Sequence, residues 1–426
     1  MVVLEHSRLD AARAQTVALV AGVSDGDLER VHSPLMSPLV WDLGHIAAFE
    51  DLWLAHRLGG LPLLRGDLAE VYDAFETPRS RRGEVPYLRR ADAEDYLEAV
   101  RERVAALRLR QDEPIAELVA RHERQHAETM LQTLALAGLP DWPAPGLAAA
   151  PHELPATSGL EPPPTSGLEL IELSATSFPL GAGDHGFAYD NERPQHQVEL
   201  ESFAIGKIPV TNRDWLEFID DGGYRRVEWW SPQGWRWRVA EQVERPLHWL
   251  GDGRERRLGA VGEIRLDCPV VHVCCHEADA FVRSRGLRLP SEAEWELAAT
   301  FDHASAAKRM WPWGEQPPSA GEANLIESGN FAPLAAGGLR AGAAPCGALG
   351  MIGDVWEWTA SEFDGYPGSR ADPYREYSEV FFGGGYRVLR GGSFASSALV
   401  ATPTFRNWDF PDRRQIFAGL RVAASA

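Results

Sequence analysis

Arg121-His122-Glu123-Arg124-Gln125-His126-Ala127-Glu128 is the stretch on which the reading of this chain turns. It lies inside a run with helical periodicity. On a helix, a spacing of four puts both imidazoles on one face, one turn apart and aimed at one point. Two imidazoles so placed can share a divalent metal, and the glutamate directly after the first histidine completes the helical zinc-site pattern H-E-x-x-H. Histidines four apart also occur by chance on polar helix faces. The spacing alone therefore leaves both a metal site and a solvated face open.

A third imidazole shifts the balance. His45 lies in Trp41-Asp42-Leu43-Gly44-His45-Ile46-Ala47-Ala48-Phe49-Glu50-Asp51-Leu52-Trp53-Leu54, an apolar helical run with one histidine in it. Taken alone it reads as a core histidine bonded to a neighbour. Three histidines from two antiparallel helices of one bundle suit a facial metal site with open positions. Three neutral nitrogen ligands leave the ion its full double charge, so water, oxygen or a thiolate can bind on the open side.

The chain has 426 residues, enough for two or three domains, and with 44% hydrophobic residues and 15 Trp it can bury a sizeable core. Its formal charge is −20, from 42 basic and 62 acidic residues, which argues against a nucleic-acid or anionic-membrane surface. No apolar run approaches the roughly 20 residues of a membrane span. The N-terminal Met1-Val2-Val3-Leu4-Glu5-His6-Ser7-Arg8 is charged too early for a secretory signal. Cys268, Cys274, Cys275 and Cys346 form no C-x-x-C pair. The expectation is a reduced, cytoplasmic protein that is a monomer.

The texture divides the chain. Residues 1–140 show helical periodicity: Leu9, Ala12, Val17 and Val20 begin one pattern, 36–58 a second, 93–109 a third and 114–136 a fourth. Four such helices predict a bundle. The long connection Val71-Tyr72-Asp73-Ala74-Phe75-Glu76-Thr77-Pro78-Arg79 lies between the second and third, and connections of that length are often functional. Residues 141–166, rich in Pro, Ala, Gly and Ser, read as a linker. Residues 167–426 carry short strands, dense Trp and Gly, and recurring turn residues. Phe178-Pro179-Leu180-Gly181-Ala182-Gly183, 195–200 and Phe203-Ala204-Ile205-Gly206 read as strands and turns. One helix is predicted from Thr211-Asn212, and another from Ser291 with Glu292, Glu294 and Glu296 near its positive end. His272 and His276 repeat the four-residue spacing, but His272 reads as strand and His276 as a helix start. They do not share a helical face, and a second metal site is not expected there.

Several motifs follow in order in this second part: Asn191-Glu192-Arg193-Pro194, Pro209-Val210-Thr211-Asn212, Arg288-Leu289-Pro290-Ser291-Glu292-Ala293-Glu294-Trp295-Glu296, Trp311-Pro312-Trp313-Gly314, Gly353-Asp354-Val355-Trp356-Glu357-Trp358-Thr359, Arg390-Gly391-Gly392-Ser393-Phe394 and Gly419-Leu420-Arg421. With them the second part resembles the formylglycine-generating-enzyme/sulfatase-modifying-factor family, a variant of the C-type lectin fold. Most of these pieces specify scaffold rather than chemistry. Formylglycine enzymes use a cysteine pair near the C-terminus. From Arg390 onward there is no cysteine, so that activity is not expected.

The first part, through His45, His122 and His126, resembles the DinB-like four-helix bundles that bind a metal through three histidines. The resulting fold expectation is a multi-domain α and α+β protein, a DinB-like bundle followed by a C-type-lectin-like domain. That arrangement resembles the ergothioneine-pathway sulfoxide synthases, non-haem iron enzymes. They use O2 to join a thiol sulfur to C2 of the imidazole of Nα-trimethylhistidine (hercynine), yielding a sulfoxide. The resemblance implies Fe(2+) on His45, His122 and His126, with Gln125 contacting the betaine. In Tyr374-Arg375-Glu376-Tyr377-Ser378 it implies Tyr374 as the catalytic donor and Tyr377 as a substrate contact. In Arg406-Asn407-Trp408-Asp409 it implies Asn407 and Trp408 in the betaine pocket. Asp409 and Arg413 would hold the glutamyl part of γ-glutamylcysteine, and Arg79 a carboxylate of the thiol substrate.

The chemistry suits these residue types. A quaternary ammonium favours aromatic faces such as Trp408 and Tyr377. Its carboxylate needs donors, which Asn407 and Gln125 offer. The two carboxylates and one ammonium of γ-glutamylcysteine match two arginines and one aspartate. Read singly, each residue also has a plainer role: Arg413 as surface charge, Asn407-Trp408 as turn and core, Tyr374 and Tyr377 as rim aromatics, Gln125 as an exposed helix residue. Two alternative functions stay open, an O2-independent metal-dependent thiol transferase of the DinB type and the same sulfoxide chemistry with cysteine as the thiol.

Overall fold

The computed structural model describes residues 3–110, 113–140, 142 and 165–425, with side chains from residue 7 onward. Two compact units emerge, one of residues 1–148 with 256–260 and one of 149–255 with 261–426. Most of the predicted linker, residue 141 and residues 143–164, lies outside the described residues.

The first unit is helical: α1 Val3–Val20, α2 Asp25–Glu29, α3 Leu39–Glu50, α4 Arg90–Ala105 and α5 Pro114–Ala137, with α3 running on as a π-helix over Asp51–Leu58. The ends follow from local chemistry. Ser24 caps α2 by accepting from Asp27 N. Pro114 opens α5, where a missing N–H costs nothing. Gly138 closes α5 in the left-handed region, its N–H on Leu134 O. α3 is apolar almost all round, with Leu39, Val40, Trp41, Leu43, Ile46 and Ala47 buried, and packs against α2, α4 and α5. α1 packs on α5.

One element of the α1 pattern is corrected. Leu9, Ala12 and Val20 are buried as expected, but Val17 is 44% exposed. Its place is taken by Thr16, fully buried with its hydroxyl on Ala12 O at 3.2 Å. A threonine that satisfies itself on its own helix can sit on the inward face, which an apolar-only pattern does not reveal.

An ion network ties the bundle together. Glu50 and Glu123, both buried, share Arg13 (2.7 and 2.9 Å), and Arg101 adds a second bond to Glu50 at 2.8 Å. The connection between the π-helix and α4 folds down on α3. Trp41, Leu68 and Tyr72 form a buried cluster, and Trp41 Nε1 donates to Val71 O.

The second unit begins with β1 Leu170–Leu173, β2 Thr176–Leu180, β3 His196–Leu200 and β4 Phe203–Gly206. Next come α6 Asn212–Asp220, α7 Pro232–Ala240, the ribbon β5 Arg254–Arg257 and β6 Ala260–Glu263 (of which residues 256–260 group with the first unit), then α8 Cys275–Ser284 and α9 Glu292–Thr300. The short pair β7 Phe301–Asp302 and β8 Ala307–Lys308 precedes β9 Trp356–Glu362, β10 Arg387–Arg390, β11 Asn407–Asp409, β12 Ala418–Leu420 and β13 Ala423–Ser425. The main sheet runs β11-β10-β9-β12, antiparallel except for the parallel β9–β12 pair, and a second sheet runs β1-β4-β13. Both helices predicted here are present, capped by Thr211 and Ser291.

The motif residues build the interior. Glu294 closes the capping box with Ser291 and pairs with Arg288. Glu292 and Glu296 turn inward instead. Arg406 grips Glu292 through two bonds of 2.8 and 2.9 Å, Arg390 pairs with Glu296, and Arg421 grips Glu357, which also accepts from Trp295 Nε1. All three arginines are almost wholly buried. A buried cation survives only when paired, and the Glu292 and Glu296 pairs, with the Trp295–Glu357 bond, tie α9 to the main sheet.

His272 departs from its expected strand. It has φ +64 and sits outside any strand, its Nδ1 3.1 Å from Arg414 O and its ring against His248.

Candidate metal centre

α3 and α5 bring the three predicted imidazoles together. The ring centroids of His45, His122 and His126 lie 4.5–5.0 Å apart. One nitrogen from each falls within 4.8 Å of the others, and among the described residues this is the one such group of three or more potential ligands. His45 Nε2 and His122 Nε2 are 3.1 Å apart. With metal–nitrogen bonds of about 2.1 Å, two ligands on one ion stand about 3.0 Å apart at a right angle and about 3.4 Å apart in a tetrahedron. The trio therefore needs only modest contraction to hold one ion.

Each ring is oriented by a different neighbour. His45 Nδ1 donates to Tyr72 O at 2.7 Å, and its face stacks on Trp41 at 4.9 Å. His126 Nδ1 is 3.2 Å from Asp42 Oδ1. His122 lies flat against Phe49, centroids 3.6 Å apart and planes 9° from parallel. When Nδ1 is the donor, Nε2 keeps its lone pair for a metal. Burial holds the His45 and His122 imidazoles well below their usual pKa, with the neighbouring histidines adding to the effect. Both rings are therefore neutral near pH 7, the state in which an imidazole nitrogen can take a metal.

The surroundings fit a cation. Asp42 is fully buried, and its Oδ2 has no hydrogen-bond partner among the described residues. An ionised carboxylate so enclosed needs positive charge nearby, and a divalent ion on the trio would add to what Arg82 supplies. Arg82 is buried over Trp41, its guanidinium carbon 3.8 Å from the ring centroid, and it bonds Ser37 Oγ and Thr77 O.

Local packing explains why the connection after α3 matters. Gly44 precedes His45, and a Cβ there would stand 2.2 Å from Tyr72 Cζ. Only glycine admits that ring, and that same Tyr72 supplies the carbonyl on which His45 rests.

The other predicted residues fall into two sets. In the first unit, Gln125 is half-buried on α5, and Arg79 is exposed at the head of the 3-10 turn Arg79–Arg81, its Nη1 3.4 Å from Leu35 O. In the second unit the predicted residues gather. Tyr377 stacks on Tyr189 at 4.4 Å and meets Trp408 edge-on at 6.0 Å, and Tyr374 stands edge-on to Tyr377 at 6.2 Å. Trp408 also stacks on Phe363 at 4.1 Å. Asn407, Trp408 and Asp409 are the whole of β11, all half-buried. Asp409 Oδ1 is 3.7 Å from Arg413 Nε, and its Oδ2 accepts from Gln415.

The segment carrying both tyrosines is anchored by Asp190, a buried carboxylate that accepts from Ser378 Oγ and from Asp372 N. Burial pushes its pKa up. Asp42, Tyr72, Phe49 and Asp190 were not singled out from sequence. Asp42 carried a signal: it is the lone acidic residue in the first two turns of an apolar helix, and a buried acid demands a partner.

Comparison with known proteins extends the geometry. The family model described as the Sulfatase-modifying factor enzyme 1-like domain matches residues 160–426, and that of the DinB superfamily matches residues 8–137. A hercynine oxygenase of Mycobacterium tuberculosis is 45% identical over 427 residues, covering 97% of each chain. One of Mycolicibacterium thermoresistibile is 44% identical over 426 residues, covering 97% of this chain and 92% of its own. A formylglycine-generating enzyme of Mycobacterium tuberculosis is 31% identical over 251 residues, 48% of this chain and 77% of its own. Likeness over nearly the full length, with both component families in order, means that this chain belongs to the hercynine oxygenases, enzymes that join a DinB-superfamily helical unit to a sulfatase-modifying-factor unit of the C-type-lectin-like class.

Proposed function

We propose that this enzyme joins the sulfur of γ-glutamylcysteine to C2 of the hercynine imidazole, with O2 as oxidant and Fe(2+) on His45, His122 and His126. The balance is simple: thiol, imidazole C2–H and O2 give a sulfoxide and one water. O2 accepts four electrons, two as the C–S bond forms and two as sulfur takes oxygen. The observation that carries the reading is the three-histidine cluster in a chain of this family.

When bound, the ion supplies open positions for thiolate and O2 and the electron steps between them. The chain does the rest. Burial keeps His45 and His122 neutral near pH 7, so neither ring must lose a proton before one of its nitrogens can bind the ion. Gln125 and Asn407 offer donors to the betaine carboxylate, and Trp408 and Tyr377 offer aromatic faces to its trimethylammonium. Asp409 and Arg413 take the ammonium and carboxylate of the glutamyl group, and Arg79 a second carboxylate. The Tyr374 phenol delivers its hydroxyl proton to the oxygen atom that leaves as water, without placing a fixed charge in the site.

Iron-loaded protein given hercynine, γ-glutamylcysteine and air should consume O2 and yield the sulfoxide by mass spectrometry. The reading fails if O2 is untouched or no C–S bond forms. Anaerobic turnover would point to the metal-dependent thiol transferase, and turnover with cysteine at least as efficient would reassign the thiol. Among the described residues, no helix is long and apolar enough to cross a membrane. With −20 formal charge and free cysteines, we place the enzyme in the cytoplasm as a monomer acting on small molecules and not on nucleic acid.

A further inference from the structure

Asp42 touches the histidine trio and has no part in the reaction above. It sits on α3 at zero exposure, between Trp41 and Leu43, both buried. Among the described residues its side chain has one hydrogen bond, Oδ1 accepting from His126 Nδ1 at 3.2 Å, and Oδ2 has no partner. A carboxylate so desolvated is expensive to keep charged. A neutral side chain of the same shape would fill the space at lower cost.

We propose that Asp42 is a positioning residue of the metal centre. It holds His126 as the Nδ1–H tautomer with Nε2 toward the ion, strengthens that nitrogen as a donor, and offsets one unit of the ion's charge. The three ligands are then unequal. His45 leans on a neutral carbonyl, Tyr72 O, and His122 on the Phe49 ring, whereas His126 has an anion behind it. This makes His126 the strongest donor of the trio. The inference rests on the three-histidine metal reading.

The test uses full-length, metal-stripped protein titrated anaerobically with Co(II) and with Fe(II). Asp42→Asn keeps an acceptor for His126 and removes only the charge, whereas Asp42→Ala removes both. Loss of such a partner costs about 10- to 100-fold in metal affinity. That fall is expected for Asn, with shifted Co(II) d–d bands, and a fall at least as large for Ala. The melting midpoint of metal-free Asp42→Asn should not drop. Wild-type affinity and bands in Asp42→Asn would overturn the role of Asp42, whereas wild-type protein that binds neither ion would overturn the metal site itself. Should the variants not fold, the 15N shifts of His126 in metal-free wild-type protein decide. An Nδ1–H tautomer supports the proposal and an Nε2–H tautomer overturns it.

Discussion

Gly44→Ala is a one-carbon test of how the metal helix is held. Intrinsic propensity favours it: Ala for Gly inside a helix is worth about 0.8–1.0 kcal/mol. The packing opposes it. The new Cβ would lie 2.2–2.4 Å from three atoms of Tyr72, which is 2% exposed in the cluster with Trp41 and Leu68. The ring must retreat by more than 1 Å to reach ordinary contact. Overpacking of this kind costs about 1–3 kcal/mol. The retreat also strains the bond from Leu88 N to Tyr72 Oη, worth about 1 kcal/mol. The net expectation is a loss of about 1–3 kcal/mol, a fall of roughly 3–10 °C in the melting of the helical unit. Because Tyr72 O orients His45, metal affinity should fall as well. Thermal unfolding of the metal-free protein, followed by metal titration, measures both. A variant as stable as wild type or more so, with unchanged affinity, would refute the claim that the Gly44–Tyr72 contact seats His45.

Three further outcomes follow from the same structure. Glu50→Gln removes the carboxylate that Arg13 and Arg101 share, leaving Arg13 on Glu123 and Arg101 on Asp10, and loss of these charge-assisted bonds should cost about 1–3 kcal/mol. Chemical denaturation should show this, and a loss under 1 kcal/mol would contradict the network's weight. Burial pushes the Asp354 carboxyl up to about 6, with Asn324 Nδ2 and Leu334 N both donating to one oxygen. Between the unfolded value of 3.8 and about 6 the folded state binds the extra proton, so this group's contribution falls as pH rises through that window. Asp354→Asn should therefore gain on the order of 1–3 kcal/mol near pH 7 and flatten stability between pH 4 and 6, and a variant less stable at pH 7 would argue against it. Arg413→Ala should raise the KM for γ-glutamylcysteine at least tenfold, as expected for loss of a charge-assisted contact, while leaving metal binding intact. An unchanged KM would remove Arg413 from the thiol site.

The sequence reveals those parts of the molecule whose signal is local. The four long helices show in their periodicity, because each buries one stripe. The trio shows because two of its members lie one turn apart, and the third is a lone histidine in an apolar run. Long-range pairings leave no such trace. His45 meets Tyr72 across 27 positions and His126 meets Asp42 across 84. The glutamates after Ser291 look like helix-dipole residues, yet Glu292 and Glu296 serve arginines 114 and 94 residues away. Val17 and Thr16 exchange places for a related reason: a hydroxyl bonded to its own helix behaves as apolar surface. The left-handed backbone of His272 has no sequence marker, since neither Gly nor Asn announces it.

Glu123 shows why a motif must be read together with its partners. Its spelling, directly after His122, is that of a helical zinc site in which the glutamate serves as general base. One residue along a helix is a rotation of about 100°, so Glu123 points away from the face that carries His122 and His126. Here that direction leads to Arg13, bonded at 2.9 Å, and to Arg101 at 3.6 Å, with the carboxylate 1% exposed. Held between Arg13 and Arg101 and facing away from the two histidines, this carboxylate is not placed to act as a base at the metal. The same H-E-x-x-H spelling thus gives a pair of candidate ligands and a structural anchor rather than a ligand pair and a base. Any proton donor for the proposed reaction then lies elsewhere in the chain, the role that the family resemblance implies for Tyr374.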